Sequence, residues 1–382
     1  MLHLSNFINR SQIRAGGIIF VSHGLIMASW IVYIPYVKEN LGLSEGAFGR
    51  ALFFMALGAF SSMLLSSRII RQWGEGAATF WMTLGMALSV SLPIMASTYV
   101  QLCASLFVFG ACSGLQDIAM NALVAEIERR QKILIMSASH GFFSLGAMLG
   151  TGLGSPLAAL WKAPLLHILL SSALLILIQV LIRNTYYAVR VIEDNSSEQK
   201  QISWVHAWLL LPLIIMAGFT MMGEGAIADW SAIYLNEVNQ APEWSWGMGY
   251  AGFSLAMTLG RFQGDVLSKQ LSSVMLTRLA FLVSALGAGI LLLNSVVFSI
   301  LGFVLMGIGF SVIVPELFRR AANQSAIAST QGLAAVAGAG YFGFLIGPVL
   351  LGYLAETYSL FFSFGLLLAL NLISFLVAGF RT

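Results

Sequence analysis

Apolar and polar positions alternate along this chain on a long scale. Runs of roughly twenty apolar residues are divided by short polar turns, and the pattern occurs twelve times. The runs cover about 16–37, 48–67, 77–96, 99–124, 133–160, 164–182, 205–235, 245–267, 274–293, 296–317, 327–354 and 358–380. At about 1.5 Å rise per residue, each is long enough to cross a bilayer's hydrocarbon as a helix. The strict two-residue alternation of barrel strands is missing, so the pattern predicts helices. The longest runs leave room for tilt or interfacial turns.

One long polar stretch interrupts the series. Between Arg183 and Ser203 the chain reads RNTYYAVRVIEDNSSEQKQIS, with both charge signs and no apolar period. It reads as a solvated linker. The expected organisation is therefore residues 1–182 as one six-helix bundle, 183–203 as a cytoplasmic linker and 204–382 as a second six-helix bundle. The two halves look like repeats. Ala28 and Trp30 match Ala228 and Trp230 at an offset of 200, and Gly58 matches Gly260 at 202. Gly110, Gly146 and Gly150 match Gly307, Gly343 and Gly347, each at 197. Parallel repeats of this kind are a known transporter plan, with the site between the halves near mid-depth.

Composition sharpens the membrane reading. The 382 residues are 58% hydrophobic and only 9% charged, where soluble domains carry about 25%. The charge that exists is lopsided. With the N-terminus in the cytoplasm, 16 of the 19 Lys and Arg fall on the cytoplasmic side; only Lys38, Arg50 and Lys162 fall on the other. The positive-inside rule then places both termini in the cytoplasm. The net charge of +3 reflects that asymmetry and does not point to nucleic acid. Arg10 and Arg14 precede an apolar run, but its length, with Trp30 and Pro35 inside it, reads as a retained first helix. Cys103 and Cys112 are nine apart on one helix and cannot bridge without unwinding it. No zinc or redox motif is visible, and no phosphate-binding loop that would power the protein with ATP.

Several motifs resemble the major facilitator superfamily, over about residues 14–380. They include Glu224-Gly225-Ala226-Ile227-Ala228-Asp229-Trp230, the D-x-A-M-N run from Asp117 to Asn121 and SHGFFSLG from Ser139 to Gly146. The eighth run has GRFQGD from Gly260 to Asp265, and the eleventh GYFGFLIGP from Gly340 to Pro348. Within that superfamily the set is similar to the bacterial branch near the fucose–proton symporters. The loop between the second and third runs departs from the superfamily pattern: SSRIIRQWGEG keeps Gly74 but lacks the usual acid. Thr151 also stands where the Gly-Pro pattern of drug/proton antiporters has its proline. The resemblance implies an all-α fold of twelve transmembrane helices in two pseudo-symmetric bundles, working as a monomer by alternating access.

Candidate chemistry centres on ionisable groups inside apolar runs, which are costly to keep charged there and mark functional sites. Asp117 in the fourth run is suited to taking up and releasing a proton. His140 lies about as far into the fifth run as Asp117 lies from the end of the fourth, so the two are candidate neighbours titrating as a pair. The other reading has His140 simply hydrogen-bonded within the bundle. Glu224 is the third proton-coupling candidate; Gly225 beside it is expected to weaken the helix there. Asp229, with Trp230 and Tyr234, reads as an interfacial belt. Candidate substrate contacts are His23, Trp30, Gln116, Asn121, Phe142 and Tyr341, each with ordinary packing as the alternative. Arg261 and Asp265 are four apart and share a helix face. The resemblance implies that they gate the inner mouth by clasping the opposite half, with the N-terminus of the fifth helix, Arg129 or Arg130 as partners. The expected function is proton-coupled symport of a small polar solute, of the sugar or organic-acid class, across the bacterial inner membrane. Proton-coupled efflux of amphipathic compounds is the alternative. No cofactor or metal is expected, and no nucleophile–base motif of an enzyme is visible.

Overall fold

The structure is a computed structural model and describes residues 7, 9–133, 135–190, 208–322, 324 and 329–379. The described residues form twelve long helices. The first six are α1 (Ser11–Asn40), α2 (Glu45–Trp73), α3 (Glu75–Ser89), α4 (Tyr99–Gln131), α5 (Met136–Trp161) and α6 (Pro164–Ile182). The second six are α7 (Leu211–Ile233), α8 (Met248–Gln270), α9 (Ser273–Leu291), α10 (Val296–Ala322), α11 (Ser329–Thr357) and α12 (Leu360–Val377). A single helical turn, Leu92–Met95, continues α3. Among the described residues, eleven spans are long and apolar enough to cross a membrane. The one below that mark is α8, where Arg261, Gln263, Asp265 and Lys269 crowd one end.

Helix starts follow local chemistry. Ser44 and Thr98 cap α2 and α4 by accepting from the amides of Ala47 and Gln101, satisfying donors the first turn leaves open. Pro164 and Pro212 sit in the first turns of α6 and α7, where a missing N–H costs nothing. The fourth helix runs to Gln131, about two turns beyond its apolar run, because Glu126 pairs with Arg129 and Arg130 on the same face.

The repeat seen in the glycines is a repeat of helix crossings. In the first half α1 packs on α5 and α2 on α4; in the second half α7 packs on α11 and α8 on α10. Gly146 lies against the Val21 backbone at the first crossing, and its counterpart Gly343 against Gly218. Gly110 lies against Met55, and its counterpart Gly307 against Phe253. Only a residue without a side chain lets two helix backbones meet this closely. The halves join along a seam where α5 packs on α8 and α2 on α11. The molecule has a basic end, where α4 finishes with Arg129 and Arg130, and a far end, where α1 finishes at Asn40.

Candidate functional site

At the far end the seam is tightly closed. Lys38, on the last turn of α1, donates to Glu237 beyond α7 (2.5 Å) and to Glu45 at the start of α2 (3.3 Å). Asn236 donates to Glu39 (2.6 Å), and Ser44 to Glu356 on α11 (2.7 Å). The Gly247 amide donates to Ser155 (2.8 Å). Beneath these links Phe48 meets Trp230 edge-on across the seam. Sequence reasoning treated Lys38 only as a charge on the sparsely basic side. Its signal was available: an isolated lysine and an acid 199 residues apart, at matching ends of the first and seventh helices.

Deeper in, the seam carries an ion pair. Arg261 is nine residues from the basic end of α8, roughly 14 Å. Its guanidinium lies 3.9 Å from the Glu224 carboxylate on α7. The same side chain crosses to the other half, donating to Ser144 Oγ (2.7 Å) and to the His140 carbonyl (3.4 Å) on α5. Phe262 packs beside it on Phe142 and covers Gly141. Glu224 and Arg261 keep 15% and 19% of their side-chain surface exposed, so the pair is largely but not wholly sealed. Tyr250 lies within electrostatic range of Glu224, Arg261 and Asp229. This arrangement differs from the expected gate near the helix end: Arg261 acts at mid-depth, with Glu224 and Ser144 as partners.

The other gate residues are placed as follows. Arg129 and Arg130 both hold Glu126 on their own helix. Arg130 also donates to the Arg190 carbonyl. The N-terminus of α5, expected to attract Asp265, is occupied by Glu128, which accepts from the amides of Ile135 and Met136. Glu128 is only seven residues from Ile135 and wins by proximity. The side chain of Asp265 lies outside the described residues. The second half repeats the Glu126 cluster: Glu316 on α10 holds Arg319 at 2.9 Å. Glu-x-x-Arg-Arg occurs at 126–130 and again at 316–320, a repeat the sequence reading passed over.

The proton candidates do not all converge. Gln116 and Asp117 are adjacent, so about 100° of helix rotation separates them. Gln116 faces inward and shares a hydrogen bond with the ring nitrogen of His23. Asp117 is half-buried, bonded to Asn121 (3.2 Å), and within electrostatic range of Tyr341 on α11. His140 packs edge-on against Phe20 and lies beside Arg261, without a hydrogen bond to Asp117. The expected Asp117–His140 pair is therefore not made here.

Three expected substrate contacts are closed off from open space. His23 is sealed between Gln116 and Phe143. Gln116 is wholly buried and also donates to Thr83 and to the Met120 sulfur. Trp30 is wholly buried within the apolar core. Asn121 and Phe142 are half-buried and Tyr341 is exposed. The interfacial belt is also corrected: Trp230 and Tyr234 are fully buried, and Tyr234 donates to the Leu291 carbonyl. The seventh helix is continuous through Gly225, which packs against the Phe344 ring. The irregular turn comes later, as a π turn over Tyr234–Val238.

Comparison with known proteins agrees with this architecture. A family model for the Major Facilitator Superfamily matches residues 16–323. An MFS-type transporter of Yersinia pestis is 31% identical over 350 residues, covering 91% of this chain and 89% of the relative. Membrane protein MosC of Rhizobium meliloti is 29% identical over 348 residues, covering 89% and 83%. Among solved structures, a point mutant of the nucleoside transporter NupG superposes with a TM-score of 0.74 at 11% identity, covering 97% of this chain and 99% of that one. A bacterial homolog of the human lysosomal transporter Spinster, inward-facing and occupied, gives 0.72 at 13% identity, covering 96% and 95%. The chain belongs to the major facilitator superfamily, and it is a multi-pass membrane transporter rather than an enzyme.

Proposed function

We propose that this transporter carries a small polar solute, of the sugar or organic-acid class, by proton-coupled symport across the bacterial inner membrane. The observation that carries the reading is the Glu224–Arg261 pair, because Arg261 simultaneously holds the opposite half through Ser144. An arginine beside a carboxylate favours the charged carboxylate; once protonated, that group no longer holds the cation. Loading a proton on Glu224 then frees Arg261 to rearrange at the seam, which links protonation to the relative position of the halves. Asp117 on α4 and the exposed Tyr341 on α11 supply further polar groups for solute. The closed far end fits one state of an alternating-access cycle in which the two mouths open in turn. The superfamily resemblance and the basic-end arginines support cytoplasmic termini.

The test is uptake into proteoliposomes with an imposed pH gradient, screened first for substrate by thermal shift across sugars, organic acids, nucleosides and amphipathic drugs. Glu224→Gln is expected to lose gradient-driven accumulation by at least about tenfold, while solute exchange at equal pH persists. Accumulation that survives Glu224→Gln removes the coupling role from this pair. Hits confined to amphipathic drugs, moved outward against the gradient, replace symport with efflux.

A further inference from the structure

A groove of about 470 Å³ opens on the flank of the first half at its basic end, far from the seam site. Trp73 closes α2, Ala77 and Trp81 lie on the first turns of α3, and Tyr187, Val189 and Arg190 follow α6. The last segment is built firmly onto α3. The Gly76 amide donates to the Val189 carbonyl (2.9 Å), and a side chain at Gly76 would strike the carbonyls of Tyr186 and Tyr187. Arg190 donates to the Arg71 carbonyl (2.8 Å). The walls therefore come from three parts of the chain and are held in place without any occupant.

The lining has two chemistries. Trp73 and Trp81 are about half exposed, large aromatic faces turned outward on spans that are otherwise apolar. Trp and Tyr at this level favour the boundary between headgroups and acyl chains. Beside them sits positive charge. Arg183 lies over the rings of Phe80 and Tyr187, its guanidinium carbon 5.5 Å and 5.2 Å from their centroids. Arg183 and Arg190 are exposed, and among the described residues neither pairs with a carboxylate. This contrasts with Arg129 and Arg130, which are held by Glu126. The nearby acid on α3, Glu75, is buried. The groove thus has one guanidinium, Arg190, in its wall and a second, Arg183, next to it over Tyr187, beside the exposed Trp73 and Trp81. A soluble anion would use only the first feature, and a neutral acyl chain only the second.

We propose that this groove is a binding site for one anionic phospholipid of the leaflet at the basic end. Its phosphate sits between Arg183 and Arg190, and the upper part of one acyl chain lies on Trp73 and Trp81. Basic pockets at the cytoplasmic ends of helices bind anionic headgroups in this way, and arginine forks match phosphate oxygens. The lipid would bridge the α2–α3 turn to the segment after α6, bracing the first half. Nothing in this proposal depends on which solute is carried or on proton coupling.

Native mass spectrometry of the full chain in detergent tests it, using phosphatidylglycerol and phosphatidylcholine with matched acyl chains. Phosphatidylglycerol is expected to bind roughly tenfold or more tightly, since each arginine near the surface favours anionic lipid. Arg183→Gln with Arg190→Gln should erase that preference and leave phosphatidylcholine binding unchanged. Trp73→Ala should weaken both lipids alike, and Arg319→Ala, away from the groove, should change neither. Equal binding of the two lipids overturns the proposal, as does a preference that survives the double arginine variant or falls equally in Arg319→Ala. Displacement by glycerol 1-phosphate as effective as by the lipid shows a soluble-anion site and also overturns it. Binding of neither lipid overturns it as well.

Discussion

In the first half, the space enclosed by α1, α3, α4 and α6 is filled by side chains that bond one another across helices. His23 joins Gln116, Gln116 joins Thr83, Gln179 joins Ser22 (3.1 Å), and Tyr186 joins Gln179 (2.9 Å). Between the corresponding helices of the second half, toward the far end, the packing is aromatic. Tyr234, Phe303 and Phe364 meet edge-on, with centroids 4.9 to 6.5 Å apart. The polar groups beside them bond backbone carbonyls of neighbouring helices, Tyr234 and Ser299 that of Leu291 and Ser363 that of Leu351, while Thr277 and Asn371 turn back onto their own helices. The two halves share their crossings but not their means of cohesion. One is cross-linked by hydrogen bonds between side chains of different helices, which have no water to compete with them; the other combines ring packing with hydrogen bonds from side chains to neighbouring carbonyls. The charge proposed to change state during transport is found in neither interior. Glu224 and Arg261 lie where the halves meet, as does the Lys38 clasp.

That contrast can be broken from either side. The largest expected loss of stability is in the aromatic half. Phe364→Ala should cost about 3–5 kcal/mol, because it empties a fully buried ring site, read as a fall in the denaturant midpoint in mixed micelles. A cost below about 1 kcal/mol would mean that this half is not held by packing at these rings. Lys38→Met leaves Glu45 and Glu237 facing each other without their shared cation. It should loosen the far end by about 1–3 kcal/mol. In a background lacking Cys103 and Cys112, a Phe48→Cys probe should then react with a maleimide about tenfold faster or more. An unchanged rate would show that the clasp does not hold the far mouth. Gln116→Ala leaves His23 without its partner in the polar half and should cost about 1–3 kcal/mol, measured the same way, with solute exchange retained. Arg129→Ala should be the mildest, about 0–1 kcal/mol, since Arg129 is mostly exposed and Arg130 still holds Glu126.

The architecture was legible because membrane insertion imposes it: a span needs a long apolar run, and each shows as one in the sequence except α8, whose basic end carries Arg261, Gln263 and Asp265. The glycine offsets were legible for a similar reason, as each marks a crossing where backbones touch. Side-chain direction was much less so. Counting residues from a helix end places Asp117 and His140 at similar depths, but depth does not fix azimuth. Gln116 took the inward position beside His23, and Asp117 turned elsewhere. The end of α4 was misjudged because an apolar run ends before its helix when Glu126, Arg129 and Arg130 continue the turn. Lys38 looked isolated because its partner on the other half is remote in sequence. Glu128, by contrast, was discoverable: an acid just before a helix start commonly caps it.

The central claim is that protonation of Glu224 is what releases Arg261 at the seam. It is tested most directly by following protons themselves. Proteoliposomes without a preset gradient are given a pulse of solute, and internal pH is read with a trapped dye. The account predicts acidification of the interior that tracks solute entry in the native protein, and solute entry without acidification in Glu224→Gln. Acidification of equal size in both proteins would contradict it.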